Sequence, residues 1–252
     1  MTLDALTLVV PTKDEAANVG PFLASLDPRL RVVVVDASTD GTPDLVRRLR
    51  PERTTVIEEP GSIPQARQRG LEAAETEWVL FTDADMSFGR GYWSAWEALD
   101  LGPDVGAVQG GKYSADAEYR TYYRLFSFGI GFMALFGVPA GSGSNMVVRR
   151  RALLDAGGFD PALTANEDVY ALWRVRRAGW RVTYAAGLRV YERDHRRLRQ
   201  GRLRKTVHGW VRPLMLFSGW GGDRVRRSSW GYWRDEPAAP PPGAPGGAAD
   251  RR

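Results

Sequence analysis

The sequence predicts an α/β protein with a mostly parallel β-sheet covered by helices on both faces. Apolar runs of strand length alternate with helical segments through residues 1–110. Residues 31–35 form a continuous β-branched run, which is typical of a strand buried on both faces. Polar residues follow the strand ends, at Pro11-Thr12, at Asp36 and at Asp83-Ala84-Asp85. Ligands of such sheets bind beyond the carboxyl ends of the strands, so these groups are expected to converge.

The elements of the first half follow from hydrophobic periodicity and turn residues. Helices are expected between successive strands, which gives a βαβαβαβ order and therefore parallel pairing. The predicted strands are residues 6–10, 31–35, 54–57 and 78–82, and the predicted helices are residues 18–26, 42–49 and 63–74.

The second half is less regular. Residues 119–136 are aromatic and apolar and are expected to be core, although Gly129, Gly131 and Gly137 would weaken a packed helix. The other expectations are helices over 92–99, from 151 onward and over 167–178, and strands over 106–109, 145–148, 181–184 and 188–191.

Composition excludes several functional classes. The 252 residues suit one large α/β domain or two small ones. The chain has no cysteine and only two histidines, so disulfides, cysteine catalysis and a histidine-rich zinc site are not expected. The start of the chain lacks a basic targeting region, and no apolar run approaches about 20 residues. We therefore expect a cytoplasmic protein.

Positive charge is concentrated late in the chain. Residues 189–234 hold 13 Lys or Arg against 3 Asp or Glu, within a net charge of +5. This asymmetry predicts contact with phosphates, nucleic acid or a lipid surface, or else a solvated basic face. Residues 235–252 are rich in Pro, Gly and Ala and are expected to be disordered.

Asp83 and Asp85 are the first candidate metal ligands. They follow a predicted buried strand and are separated by one residue. Hard cations such as Mg²⁺ and Mn²⁺ prefer oxygen ligands and are often shared between carboxylates and phosphates. A polar turn that caps the next helix is the alternative.

An ordered set of motifs over residues 6–191 resembles the family 2 glycosyltransferases, which have the GT-A fold. The chain carries a Pro-x-x-x-Glu opening, a Val-Asp-Ala-Ser-Thr-Asp-Gly-Thr turn, and an Ala-Arg pair within a glycine-bounded helix. These three motifs begin at Pro11, Val35 and Ala66. Four further motifs follow in order: Asp83-Ala84-Asp85, Gly141-Ser142-Gly143-Ser144-Asn145, Gly157-Gly158-Phe159-Asp160 and Glu167-Asp168.

Two departures limit the resemblance. Val35 stands where many members have a first aspartate, so only Asp36 carries over at that turn. The Gln-x-x-Arg-Trp motif of processive members is absent, so a non-processive enzyme is expected.

The resemblance implies a nucleotide-sugar site in residues 1–110 and an acceptor site in residues 111–234. Asp36 would recognise uracil or guanine, or the ribose. Asp85 would be the principal ligand of Mn²⁺ or Mg²⁺, with Asp83 holding the ribose or a metal-bound water. The remaining implied donor-site residues are Pro11, Thr12 and Glu15 around the nucleoside, Arg67 near the phosphates, and Ala84 within the metal motif. Turn or surface roles are the alternatives for them.

Asp168 is implied as the general base and Glu167 as its helper. A carboxylate beside an acceptor hydroxyl can take its proton, and a single displacement would invert the anomeric carbon. Stabilisation of a helix N-terminus is the alternative for both acids. His195 would reach the metal from a late loop, with Arg196 and Arg197 clamping phosphate.

The resemblance implies a UDP- or GDP-sugar as donor. The acceptor is open between a lipid or lipid-linked saccharide and a soluble molecule. Basic residues beside Trp and Phe in the late segment favour peripheral contact with an anionic membrane at its inner face. A sugar nucleotidyltransferase and a basic nucleic-acid or surface-binding module are the rival classes, although no nucleic-acid partner is expected because no reader motif is present.

Overall fold

The computed structural model describes residues 1–195 and Met215, and it has eight strands and seven α-helices within them. The strands are β1 Leu6–Thr12, β2 Arg31–Asp36, β3 Thr54–Glu58, β4 Trp78–Phe81, β5 Met86–Phe88, β6 Val105–Ser114, β7 Met146–Arg149 and β8 Arg181–Glu192. The helices are α1 Ala16–Ala24, α2 Thr42–Leu49, α3 Ile63–Ala73, α4 Tyr92–Glu97, α5 Arg120–Leu135, α6 Arg150–Asp155 and α7 Glu167–Arg177.

The eight strands form one sheet in the order β3-β2-β1-β4-β7-β6-β8-β5. The first four are parallel, and β6 and β8 are parallel as well. The other three pairings are antiparallel. The register of β1 and β2 sets Thr12 opposite Asp36 at the carboxyl ends of both strands. The sheet therefore places the predicted polar groups at the carboxyl ends of neighbouring parallel strands.

The core lies on both faces of the sheet because successive side chains of a strand point to opposite sides. Leu8 and Val10 of β1 pack in one apolar cluster, with Phe22 of α1, whereas Val9 packs in the other, with Leu71 of α3. The uninterrupted valine run of β2 divides in the same way. The β-branched run predicted this two-sided burial.

Helix α3 approaches β1 closely at Gly70. A Cβ there would lie 2.2 Å from Cγ1 of Val9, so only glycine fits without displacing the strand. This contact fixes the height of α3 over the sheet, and α3 carries Arg67 into the site.

Several element predictions need correction. Strand β5, which has three residues, was not predicted, and β6 runs from Val105 to Ser114 instead of residues 106–109. The two short strands predicted after residue 180 are one strand, β8, whose register against β6 shifts at Gly110/Gly111. A single sheet thus continues through β6 across the predicted division at residue 110.

The prediction that residues 119–136 are core is wrong for one side of α5. Tyr123 and Ile130 are buried, but the opposite side of the helix is open to solvent. Its large apolar side chains are Leu125, Phe128, Phe132, Leu135 and the adjoining Phe136, exposed by 50% to 81%. These five residues are called the α5 apolar face below.

Candidate active site

The loops after β1 and β2 meet around Asp36. The carboxylate is buried and accepts hydrogen bonds from the Thr12 hydroxyl and from the main-chain N–H and hydroxyl of Ser38, the latter two at 2.8 Å. Thr12 and Asp36 face each other because their strands are in register. The Asp36 carboxylate is therefore held in place at the ends of β1 and β2, at the position predicted for base recognition.

A second set of bonds joins the same two loops. The main-chain N–H of Asp14, a residue at φ 54°, donates to the Ser38 hydroxyl at 2.7 Å. The Asp40 carboxylate accepts from Ala16 N–H and from Thr42, and these bonds outweigh burial and lower the pKa of Asp40. Glu15 accepts from the Asn18 amide at 2.6 Å. These bonds hold the loops after β1 and β2 together.

The acidic pair follows β4. Asp83 is held through both oxygens: Oδ1 accepts from Arg67 Nη2 at 3.0 Å, and Oδ2 accepts from the Ser144 hydroxyl at 2.6 Å. Its side chain is 30% exposed, so it is oriented by the protein yet accessible from solvent. The main-chain carbonyl of Asp85 accepts from Arg193 N–H at 3.0 Å, which ties the motif to the end of β8.

Arg67 lies inside the protein. Its guanidinium bridges Asp83, which follows β4, and Glu167, the first residue of α7. A Cβ at Gly143 would lie 2.3–2.5 Å from the guanidinium, so the absence of a side chain at position 143 leaves room for Arg67. Burial opposes the charge of Arg67, but Glu167, Asp83 and Asp168 together raise its pKa. Arg67 therefore joins the metal motif to the predicted catalytic helix.

The first turn of α7 carries the two predicted catalytic acids. Burial raises the pKa of Glu167, although the neighbouring Arg67 acts in the opposite direction. Asp168 is partly exposed and accepts from the main-chain N–H of Gly143. Asn166, at φ 58°, precedes the helix and turns the chain into it. Asp168 is thus accessible to solvent, while Glu167 is buried.

A buried cation, Lys112 of β6, lies behind the acidic pair. Its Nζ donates to Glu192 Oε1 at 3.0 Å and to the Ser144 hydroxyl at 3.1 Å. Burial alone would lower the pKa of Lys112, but Glu192, Asp85 and Asp83 outweigh that effect and raise it. Lys112 is therefore charged at neutral pH and adds positive charge behind Asp83.

His195 lies beyond β8 and is 3% exposed. Its Nε2 is 2.9 Å from the Ser114 hydroxyl, its Nδ1 is 3.6 Å from Glu192 Oε2, and its ring is 4.5 Å from that of Tyr119. The metal role of His195 stays a prediction. Arg196, Arg197, the late basic segment and the tail at 235–252 lie outside the described residues.

Sequence reasoning missed Lys112, Glu192, Ser144 and Arg193. Arg193 Nη2 donates to the carbonyls of Asn18 and Ala84 at 2.9 and 3.1 Å, and so joins α1 to the metal motif. Lys112 and Glu192 contact each other 80 positions apart. For Lys112, the usable signal was a lysine within a strand that has no other charged residue.

The residues present fit a hard divalent cation in chemistry. Asp83 and Asp85 supply carboxylate oxygens just after β4, and Mg²⁺ and Mn²⁺ use such ligands together with substrate phosphates. Within residues 1–195 and Met215, no three acidic or histidine side chains form a metal cluster.

The fold places the polar groups at the carboxyl ends of neighbouring parallel strands. Residues 7–156 match the model of "Glycosyl transferase family 2", and the chain belongs to that family. This assignment confirms the resemblance, and it favours a glycosyltransferase over the nucleotidyltransferase and the basic binding module.

Two relatives have informative names. The pre-mycofactocin glycosyltransferase of Mycobacterium tuberculosis (strain H37Rv) is 29% identical over 222 residues, which cover 81% of this chain and 46% of that protein. The succinoglycan biosynthesis protein ExoA of Rhizobium meliloti is 28% identical over 206 residues, covering 72% and 62%. The chain thus spans about half to three-fifths of the length of these relatives.

Solved structures confirm the GT-A fold. The mannosyltransferase PcManGT from Pyrobaculum calidifontis, in complex with GDP-Man and Mn²⁺, has a TM-score of 0.69 at 26% identity, covering 85% of this chain and 64% of that one. TarS 1–349 of S. aureus, in complex with UDP-GlcNAc, has a TM-score of 0.60 at 19% identity, covering 77% and 59%. The predicted mostly parallel α/β sheet of GT-A type is therefore correct.

Proposed function

We propose that this protein transfers a sugar from a nucleoside-diphosphate sugar to an acceptor hydroxyl. The observation that carries the proposal is that Arg67 joins Asp83, which follows β4, to Glu167 in the first turn of α7, while β2, a parallel strand of the same sheet, ends in Asp36. Family membership and the GDP-Man and Mn²⁺ complex of PcManGT support it.

The donor would lie across the ends of β1, β2 and β4. Asp36 would accept a hydrogen bond from the base or ribose, beside Pro11, Thr12 and Glu15. Asp85 and Asp83 would hold Mn²⁺ or Mg²⁺ with Ala84 between them. A bound cation would offset the charge of the leaving diphosphate. His195, Arg196 and Arg197 are proposed for the same diphosphate.

Asp168 would act as the general base. The main-chain N–H groups of Gly143 and Val169 each hold one of its oxygens, and its partial exposure leaves the carboxylate open to an acceptor hydroxyl. Glu167 would orient the first turn of α7 through Arg67 instead of touching the acceptor. One displacement at the anomeric carbon would invert its configuration, and each transfer would be followed by release.

A thermal-shift experiment tests the donor proposal. UDP or GDP with Mn²⁺ should raise the melting temperature, because a ligand that binds only the folded state stabilises it. Asp85→Asn should abolish the shift, and Asp100→Asn, the same change at an exposed site, should keep it. Failure of every nucleoside diphosphate to stabilise the wild-type protein would refute the proposal.

We further propose that the acceptor is a lipid or a lipid-linked saccharide. The α5 apolar face is supported by ring contacts, with Phe128 and Phe132 at 6.3 Å and Phe132 and Phe136 at 5.1 Å. The helix contains no acid, and Arg120 and Arg124 are exposed at its N-terminal end. Aromatic rings beside arginines suit the interface of an anionic membrane.

Among the described residues, the structure has no helix long and apolar enough to cross a bilayer. The proposal is therefore peripheral contact, and the inner face of a cytoplasmic membrane stays the predicted location.

Co-sedimentation with vesicles that contain an anionic lipid tests this contact. Phe128→Ser/Phe132→Ser should lose most binding at low salt. The control Leu49→Ser/Leu154→Ser removes two exposed apolar side chains elsewhere and should bind like wild type. Equal losses in the two variants, or no binding by the wild type at low salt, would contradict the role of α5.

A further inference from the structure

A buried polar chain connects β8 to the acidic pair. It runs from Glu192 through Lys112 and Ser144 to Asp83, with contacts of 3.0, 3.1 and 2.6 Å. Lys112, Ser144 and Glu192 are each at most 6% exposed. Among these four residues, Asp83 is the one whose side chain reaches solvent, at 30% exposure.

The chemistry of Lys112 fixes the direction of the Ser144 hydroxyl. An ammonium group has three donors and no acceptor, whereas a hydroxyl has one donor. Ser144 Oγ must therefore accept from Lys112, and its single proton is left for Oδ2 of Asp83. Without Lys112, the hydroxyl could rotate toward another acceptor.

The main chain holds Ser144 in place. Its carbonyl accepts from the Thr82 hydroxyl at 2.9 Å, and Thr82 immediately precedes Asp83. Lys112 is held in turn by Ser127 of α5, whose hydroxyl binds the N–H and the carbonyl of Lys112 at 3.0 and 2.6 Å. The ammonium and the hydroxyl thus meet between β6 and the segment just before β7, both of which are held in place.

We propose that Lys112 is a positioning residue for Asp83 and acts through Ser144. The Asp83 carboxylate of the metal pair is then already oriented when the cation binds. This inference rests on the proposed function. Arg67 fixes Oδ1 of Asp83 from the α3 side, and the Ser144 bond fixes Oδ2 from the β6 side. Loss of either bond frees the carboxylate to rotate.

The test measures the Mn²⁺ concentration that gives half of the thermal stabilisation by GDP or UDP. Ser144→Ala should raise it about tenfold or more, since outer partners of metal ligands typically matter to that extent. Lys112→Met should raise it similarly. The double variant should be no worse than either single one, because coupled residues are not additive.

A matched control separates positioning from a structural role. Thr76→Ala removes a buried hydroxyl that contacts Thr7 and Trp78, outside the polar chain, so it should lower stability but keep the Mn²⁺ requirement. If Lys112→Met does not fold, the variant Lys112→Met/Glu192→Gln takes its place in the comparison, because it removes both buried charges.

An unchanged Mn²⁺ requirement in Ser144→Ala would overturn the inference, as would additive effects of the Lys112 and Ser144 changes. A wild-type protein that no nucleoside diphosphate stabilises with Mn²⁺ would instead overturn the proposed function itself. The two failures are therefore distinguishable.

Discussion

At the scale of single residues, Arg67 and Asp168 show how the site divides its work. Arg67 is 3% exposed and bound to two acids from different parts of the chain, whereas Asp168 is partly exposed and held by the main-chain N–H groups of Gly143 and Val169. A buried, fully paired group suits orientation, and an exposed carboxylate suits proton transfer.

Asp168→Asn should lower turnover by about 10²- to 10⁴-fold, the usual contribution of a general base. Stabilisation by nucleoside diphosphate should stay, because the donor would bind at the ends of other strands. Asp155→Asn makes the same change on the surface of α6 and should leave turnover intact. A single-turnover assay measures the difference, and normal turnover in Asp168→Asn would end the assignment.

Gly143→Ala should destabilise the protein by about 2 kcal/mol, because the new methyl group overlaps the Arg67 guanidinium. Gly20→Ala is the control. It lies in α1, where a Cβ would meet only Leu49 Cδ1 at 3.9 Å, so it should be neutral or stabilising. Urea denaturation measures both, and equal midpoints would contradict the overlap.

The sequence could predict the candidate residues but not their partners. Asp36, Asp83, Asp85 and Asp168 follow strand ends or begin a helix, and local patterns reveal such places. Contacts such as Lys112 with Glu192 depend on β6 pairing with β8, which no local pattern encodes.

At the scale of elements, α5 differs most from expectation. Its sequence is apolar nearly all round, so periodicity could not separate the buried side from the α5 apolar face. The first four strands were predictable because each is a compact apolar run bounded by turn residues. Strand β5 has only three residues and gives no such signal.

The orientation of α5 gives a stability prediction. Ile130→Ala should cost about 2–4 kcal/mol, because the side chain is 1% exposed and leaves a cavity. Phe128→Ala should change the free energy of unfolding by no more than about 0.5 kcal/mol, because the ring is 71% exposed. If Ile130→Ala and Phe128→Ala lowered the free energy of unfolding by comparable amounts in lipid-free buffer, the α5 apolar face would be covered instead of exposed.

At the scale of the whole molecule, buried titratable groups limit stability at high pH. Burial raises the pKa of Tyr92 above its ordinary value of 10.0, and that of Tyr184 to about 12. The pKa of Lys112 is raised above 10.5 by its acidic neighbours, despite its burial. A raised folded-state pKa gives stability that is complete below the unfolded value and is lost as pH rises further.

The urea midpoint should therefore fall steadily once the pH exceeds about 10. Tyr92→Phe should lose about 1 kcal/mol at pH 7, because its hydroxyl donates to Asn145 at 2.7 Å. The variant should also decline less steeply at high pH, since one titrating group is gone. A midpoint that stays constant to pH 11 would show that these groups titrate normally.

The close approach of Arg67 to Gly143 also bears on how such a chain can diverge. A descendant with any larger residue at 143 cannot keep the guanidinium where it is, and one that loses the arginine leaves Glu167 and Asp83 without their shared cation. The two positions, 76 apart in the chain, should therefore be inherited as a pair or replaced together.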